Sequence, residues 1–121
     1  MAIPPTAATF ADALDPMEEM DFVYPAGPLL EEGEEIASYT LALRPEAIAL
    51  GLTIMTGGGR DPALIEGSTA ILFWLAIDDD FKTDAAFDGT GTSLPMEVTF
   101  VTNSAPARTR QRTILVRVVQ Q

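Results

Sequence analysis

Five aspartates crowd the stretch 78–88: Asp78, Asp79, Asp80, Asp84 and Asp88. Oxygen-rich clusters of that kind hold calcium. An EF-hand loop takes ligands at positions 1, 3 and 5, glycine at 6 and glutamate at 12. Counted from Asp78, those last three places fall on Lys82, Thr83 and Gly89, so the pattern fails. A looser set of Asp78, Asp80 and Asp84 is the residual metal reading. The stronger one is a solvated acidic loop that ends an apolar strand, because aspartate is strand-averse and keeps an edge soluble. Glu18, Glu19, Glu31, Glu32, Glu34 and Glu35 supply carboxylates for a glycosidase-like pair, but one Trp and two Tyr offer little to line a sugar cleft. "TGGGRDP" (56–62) is glycine-rich like a phosphate loop, yet it lacks the GK[ST] ending and no helix period follows it, so it reads as a turn. The chain has no His and no Cys. That excludes thiol nucleophiles, thiolate or imidazole metal sites and every His-based triad. The expectation is a protein that is not an enzyme, with no catalytic residues, no cofactor and no metal.

The elements that hold these residues follow from size, charge and pattern. With 121 residues, 47% of them apolar, the chain suits one compact domain with a real core. No apolar run approaches the roughly 20 residues that span a bilayer, so no membrane partner is expected. The opening "MAIPPTAATFADALDP" has neither a basic n-region nor a long apolar h-region and does not read as a secretory signal. A net charge of −11 makes nucleic acid a poor partner, since binding it needs a basic face. The charge is uneven. Arg108, Arg110, Arg112 and Arg117 are four of the seven basic residues and all lie near the C-terminal end. They read either as neutralised by neighbouring strands of the same chain or as a basic strip for a second copy or another charged partner.

Residues 1–13 are small, apolar and proline-containing without a strand or helix period, and read as an arm. Ile3 and Phe10 within it are candidate docking residues. Beyond it, turn signals recur at "PAGP", "EEG", "RPE", "TGGGRDP", "EGS", "DGTGTSLP" and "NSAPA", the rhythm of an all-β sandwich. Strands are expected over 20–24, 35–43, 48–55, 95–102 and 112–119, each with period-two alternation. In the first long one, Ala37, Tyr39, Leu41 and Leu43 share a face; over 48–55, Gly51 and the β-branched residues favour strand, although "PEAIAL" has the makings of one helical turn. "STAILFWLAI" (68–77) differs from the rest. Ile71, Phe73, Leu75 and Ile77 make one face and Ala70, Leu72, Trp74 and Ala76 the other, and neither is polar. A two-sheet sandwich covers each strand once. Leu72 and Trp74 are therefore candidate interface residues, the alternative being cover by the arm or a loop of the same chain. Arg108, Arg110 and Arg112, also candidates, share parity with Ile114, Val116 and Val118. A bulge near 111–113 must turn them out, or the strand must project past the core.

With the strands in place, "LDPMEEMDFVYPAGPLLEEGEEIASYTLAL" resembles the opening of a family of small tailed-bacteriophage virion proteins, through Asp15-Pro16, Asp21-Phe22, Leu29-Leu30, Gly33 and Ile36 to Tyr39. "STAILFWLAI" is similar to that family's Trp-centred apolar strand, and "MEVTFVTNSAPARTRQRTILVRVV" to its closing hairpin. The likeness spans about residues 14–119 and rests on order and spacing. It departs in the long loop "DDDFKTDAAFDGTGTSLP", where the family makes a tight turn, and in Tyr24-Pro25, which stands where a second aromatic is usual. The family is that of phage fibre–tail adaptors. The resemblance implies an immunoglobulin-like sandwich of about six to eight antiparallel strands over 14–121. It also implies a structural role in the virion, assembled in the bacterial host cytoplasm, with portal, neck, tail or fibre proteins as partners and several copies in a ring. The rival reading is a capsid decoration or carbohydrate-binding surface module.

Overall fold

The computed structural model describes residues 8–121, which form an all-β sandwich. The strands are β1 (Ala8–Thr9), β2 (Met20–Pro25), β3 (Ile36–Leu43), β4 (Leu52–Ile54), β5 (Ala63–Ile65), β6 (Ala70–Ile77), β7 (Thr92–Thr102) and β8 (Thr109–Val118), with one short helix, α1 (Pro45–Ala49). One sheet has the order β1-β8-β7-β3. The other has β6 at its centre, β2 on one side, and β4 and β5 sharing the other. Without β1, these are the B-E-D and C-F-G sheets of an immunoglobulin sandwich.

The pattern of β6 explains its place. It is paired along both edges, and Ile71, Phe73, Leu75 and Ile77 are buried against Met96, Val98, Phe100, Ile114, Val116 and Val118 of the facing sheet. Inward side chains from both layers make one core, sealed at one end by Leu14 and Phe87, both fully buried. In β3 a register shift between Ile36 and Ser38 alters the expected face. The extra residue, Ala37, is exposed, and the bulge lets Ile36 enter the core together with Tyr39, Leu41 and Leu43.

Three expectations are corrected. The strand expected over 48–55 is reduced to Leu52–Ile54, preceded by α1. Pro45 sits in the first turn of α1, where its fixed φ suits a helix and its missing N–H costs nothing; Ile48 is consequently 58% exposed. The arm expected over 1–13 is part of the sandwich from residue 8 onward. Ala8–Thr9 pairs parallel with Ile114 and Leu115, the Phe10 N–H donates to the Leu115 carbonyl at 3.1 Å, and the Leu14 N–H donates to Arg117 at 2.8 Å. Parallel pairing also departs from the all-antiparallel arrangement expected. The acidic loop keeps Asp78, Asp79, Asp80 and Asp88 exposed, as expected of a solvated loop, while its aromatic residues join the core. Two 3-10 turns, Asp79–Phe81 and Ala85–Phe87, bring Phe81 and Phe87 onto the core, and the Gln120 N–H donates to the Phe87 carbonyl at 2.8 Å.

The Asp15-Pro16 pair has a mechanical role. Asp15 is nearly buried; its Oδ1 accepts from the Met17 N–H and its Oδ2 from the Gln121 N–H, at 2.9 and 3.1 Å. One carboxylate thereby ties the start of the sandwich to its last residues.

Candidate functional site

The outward face of the sheet that carries β6 is built by alternation. Register places Val23 and Ala63 beside Leu72, Asp21 beside Trp74, Pro25 and Ile65 beside Ala70, and Thr53 beside Ala76. These side chains point away from the core that Phe73 enters. The result is an apolar strip of Val23, Pro25, Ile65, Leu72 and Trp74 bounded by Asp21 and Thr53. Leu72 and Trp74 are half-buried, and Val23 is 38% exposed. Cover by a loop of the same chain is visible in part: the turn at 56–62 folds back and sets the Arg60 guanidinium 5.4 Å from the Trp74 ring centroid. Arg60 also reaches Glu19 at 3.3 Å, while its buried Nε has no hydrogen-bond partner. A cation over a partly exposed indole is worth only about 0.5–1 kcal/mol, so Arg60 covers Trp74 weakly, and Val23 beside Leu72 stays exposed.

The basic residues separate into two groups. Arg108 is committed inside the chain. Its guanidinium bridges to Glu34 and donates to the Leu29 carbonyl at 3.2 Å. Glu34 is 7% exposed, and its carboxylate also accepts the Glu31 N–H at 3.0 Å. The Arg108 hydrogen bond first, and the Glu31 N–H second, hold the Glu34 carboxyl well below the usual carboxylate range. A depressed folded-state pKa contributes stability that is complete above the unfolded value of about 4.5 and is lost as the pH falls below it. The stability gap between the wild type and Glu34→Gln should therefore be constant at neutral pH and shrink steadily on acidification from about pH 4.5. Urea titrations of both proteins across that range measure it; a gap independent of pH would show that the Glu34 charge is not what the pair stabilises.

Arg110 and Arg112 stand differently. The β7–β8 register runs unbroken from Thr92 opposite Val118 to Val101 opposite Thr109, so no bulge intervenes. Both arginines share the inward face with Ile114, beside the buried Val98 and Phe100 of β7, so the strand does not project past the core either; Arg112 is exposed and Arg110 half-buried. Long side chains resolve the conflict by carrying the guanidinium to the rim. Both charges act on Tyr24, whose hydroxyl pKa burial raises while Arg112 and Arg110 pull it down. Phe10 packs within its own domain, its ring centroid 5.0 Å from Phe22 and 5.8 Å from Phe73. Ile3 lies outside the described residues.

The aspartates do not converge. Asp78 Oδ1 accepts from Thr53 Oγ1, Asp84 Oδ1 accepts the Ala86 N–H, and Asp79 lies 3.7 Å from Lys82. Among the described residues no three His, Cys, Asp or Glu side chains are grouped as metal ligands. The buried Glu34, the Arg60 cover and the position of Tyr24 carried no sequence signal: Glu34 is one of four glutamates around a glycine, and nothing in its type or spacing marks it as the buried one.

Comparison with family models, with curated proteins and with solved structures finds no match to this chain.

Proposed function

We propose that this protein is a non-enzymatic structural adaptor of a tailed-phage virion, assembled in the host cytoplasm and placed at the neck or tail, where it links portal or tail components to fibres. The assembly half of this reading is supported by one observation above the others. The sheet that carries β6 keeps an apolar strip, Val23, Ile65, Leu72 and Trp74, on the side that a two-layer sandwich leaves to water. The virion half is supported by the order and spacing of the Asp15-Pro16, Asp21-Phe22 and Trp74 motifs and the closing hairpin. Several copies around a symmetric neck would let each strip meet the same surface of a neighbour or of a ring beneath. The carbohydrate-binding alternative has less support, because Arg60 occupies the face of Trp74 that a sugar ring would need.

Cryo-EM of the particles made by the encoding genome tests the placement. The strip is tested by Leu72→Asp and Trp74→Asp. Each should abolish incorporation into particles while the isolated domain keeps its cooperative unfolding transition. Unfolding of both variants in isolation would assign the row to the core, and normal incorporation of both would remove the strip from the assembly.

A further inference from the structure

Four of the seven cations face a carboxylate: Arg44 meets Glu97, Arg60 meets Glu19, Lys82 meets Asp79 and Arg108 meets Glu34. Among the described residues Arg110, Arg112 and Arg117 bridge to none, and all three stand on β8 of a chain with net charge −11. Arg117 donates twice to the Thr90 carbonyl, at 3.0 and 2.9 Å. Arg112 donates only to the carbonyl of its neighbour Gln111.

Arg112 also lines a cleft of about 510 Å³ at the seam where the two sheets part. Residues 8–11 form one wall and Val23–Pro25 the other, with Pro28, Leu29 and Ile114 completing an apolar lining. Its volume and composition are those of a ligand site, many apolar groups and few polar ones. The polar features are the side chains of Arg112, Tyr24, Thr9 and Thr113 and the backbone of β2. The last of these identifies the ligand. The Ala26 N–H donates to the Thr69 carbonyl, which fixes the even residues of β2 as those bonded to β6. Strand alternation then turns the N–H and C=O of Asp21 and Val23 the other way. Among the described residues no backbone group meets them. A free strand edge beside an apolar cleft is the geometry of strand addition.

We propose that the cleft between β1 and β2 receives an extended strand of a partner protein. The strand adds to the free edge of β2 and turns inward apolar side chains on either side of one carboxylate, which meets Arg112 and Arg110. Charge requires the carboxylate, because these guanidinium groups are uncompensated in a strongly acidic chain. The period of a strand places the apolar neighbours two residues before and after it. This rests on the adaptor reading only in taking the occupant to be a protein.

The test is an amide NMR titration of the whole chain with an end-blocked heptapeptide that alternates threonine and valine and has aspartate at its centre. Saturable shifts are expected at Thr9, Asp21, Val23 and Thr113. Exchanging the peptide's aspartate for asparagine should weaken binding about tenfold, as should Arg112→Glu at unchanged thermal unfolding. Val23→Pro, which removes an outward N–H and no ladder bond, should abolish it. Absence of saturable shifts at millimolar peptide, shifts centred elsewhere, or equal affinity for both peptides overturns the proposal. Tighter saturation by decanoate than by the aspartate peptide overturns it in favour of a small amphiphilic anion. Concentration-dependent dimerisation of the free chain that broadens Thr9 and Thr113 overturns it in favour of a second copy. Thr9, Thr113 and Arg112 lie outside the outer strip, whose own readout, through Leu72 and Trp74, is incorporation into particles.

Discussion

Phe73→Ala lowers the free energy of unfolding by about 4 kcal/mol. Phe73 is fully buried on the central strand of its sheet. Its ring stacks on Phe22, with centroids 6.3 Å apart and planes 18° apart, and meets Phe10 edge-on at 64°. Truncation removes the transfer energy of the ring and leaves a cavity. The surroundings cannot close it readily, because β6 is hydrogen-bonded along both edges and the facing layer is held by the long β7–β8 ladder. Marginal stabilities of about 5–15 kcal/mol make such a loss a large share of the whole. Urea unfolding at unchanged slope measures it. A loss under about 1.5 kcal/mol would mean that the Phe10 ring moves into the vacancy, and the double variant Phe10→Ala, Phe73→Ala would then restore the missing cost.

Gly91→Ala is the second large effect, at about 3 kcal/mol or more. Gly91 precedes β7 at φ +73°, and a Cβ there would lie 2.2 Å from the Val118 carbonyl oxygen and 2.7 Å from the Val119 Cβ. One of these atoms is backbone in the partner strand, so relief requires β7 and β8 to part at the end that Leu14 and Phe87 seal. Gly89 supplies the control. Its φ is +63°, and nothing lies within 4 Å of its would-be Cβ. Gly89→Ala therefore meets only the left-handed backbone penalty, about 1 kcal/mol. The difference between the two variants, read as denaturant midpoints, isolates the clash. Equal losses would assign the whole effect at Gly91 to φ.

The parts of this fold that were legible in the sequence are those in which burial writes a period. β6 is apolar on both faces because it is paired along both edges and carries the outer strip; β7 and β8 alternate because one face is core and the other water. The arginine parity conflict was also legible, and it is resolved within an unbroken ladder, with Arg112 at the seam between the sheets, where a long side chain reaches the rim. Other features left no such trace. Residues 48–55 alternate perfectly, yet Pro45 starts a helix and only Leu52–Ile54 is strand, since local alternation cannot report where the facing layer ends. β5 is three residues between turns, too short to carry a period. β1 is shorter still, and its partner lies more than a hundred positions away. The cleft shares this cause: its walls come from residues 8–11, 23–29 and 112–114, and only the fold brings them together. The outer strip differs, because Leu72 and Trp74 announced it by being apolar where a sandwich strand is usually polar.

The parallel clasp of β1 on β8 has a temporal consequence. A ribosome delivers Phe10 and Leu14 early and their backbone partners Leu115 and Arg117 last. At ordinary elongation rates the backbone of those two residues waits on the order of ten seconds for its partners. β1 therefore cannot lock until Leu115 and Arg117 have left the ribosome, and a truncation before Leu115 removes the backbone partner of Phe10 as well.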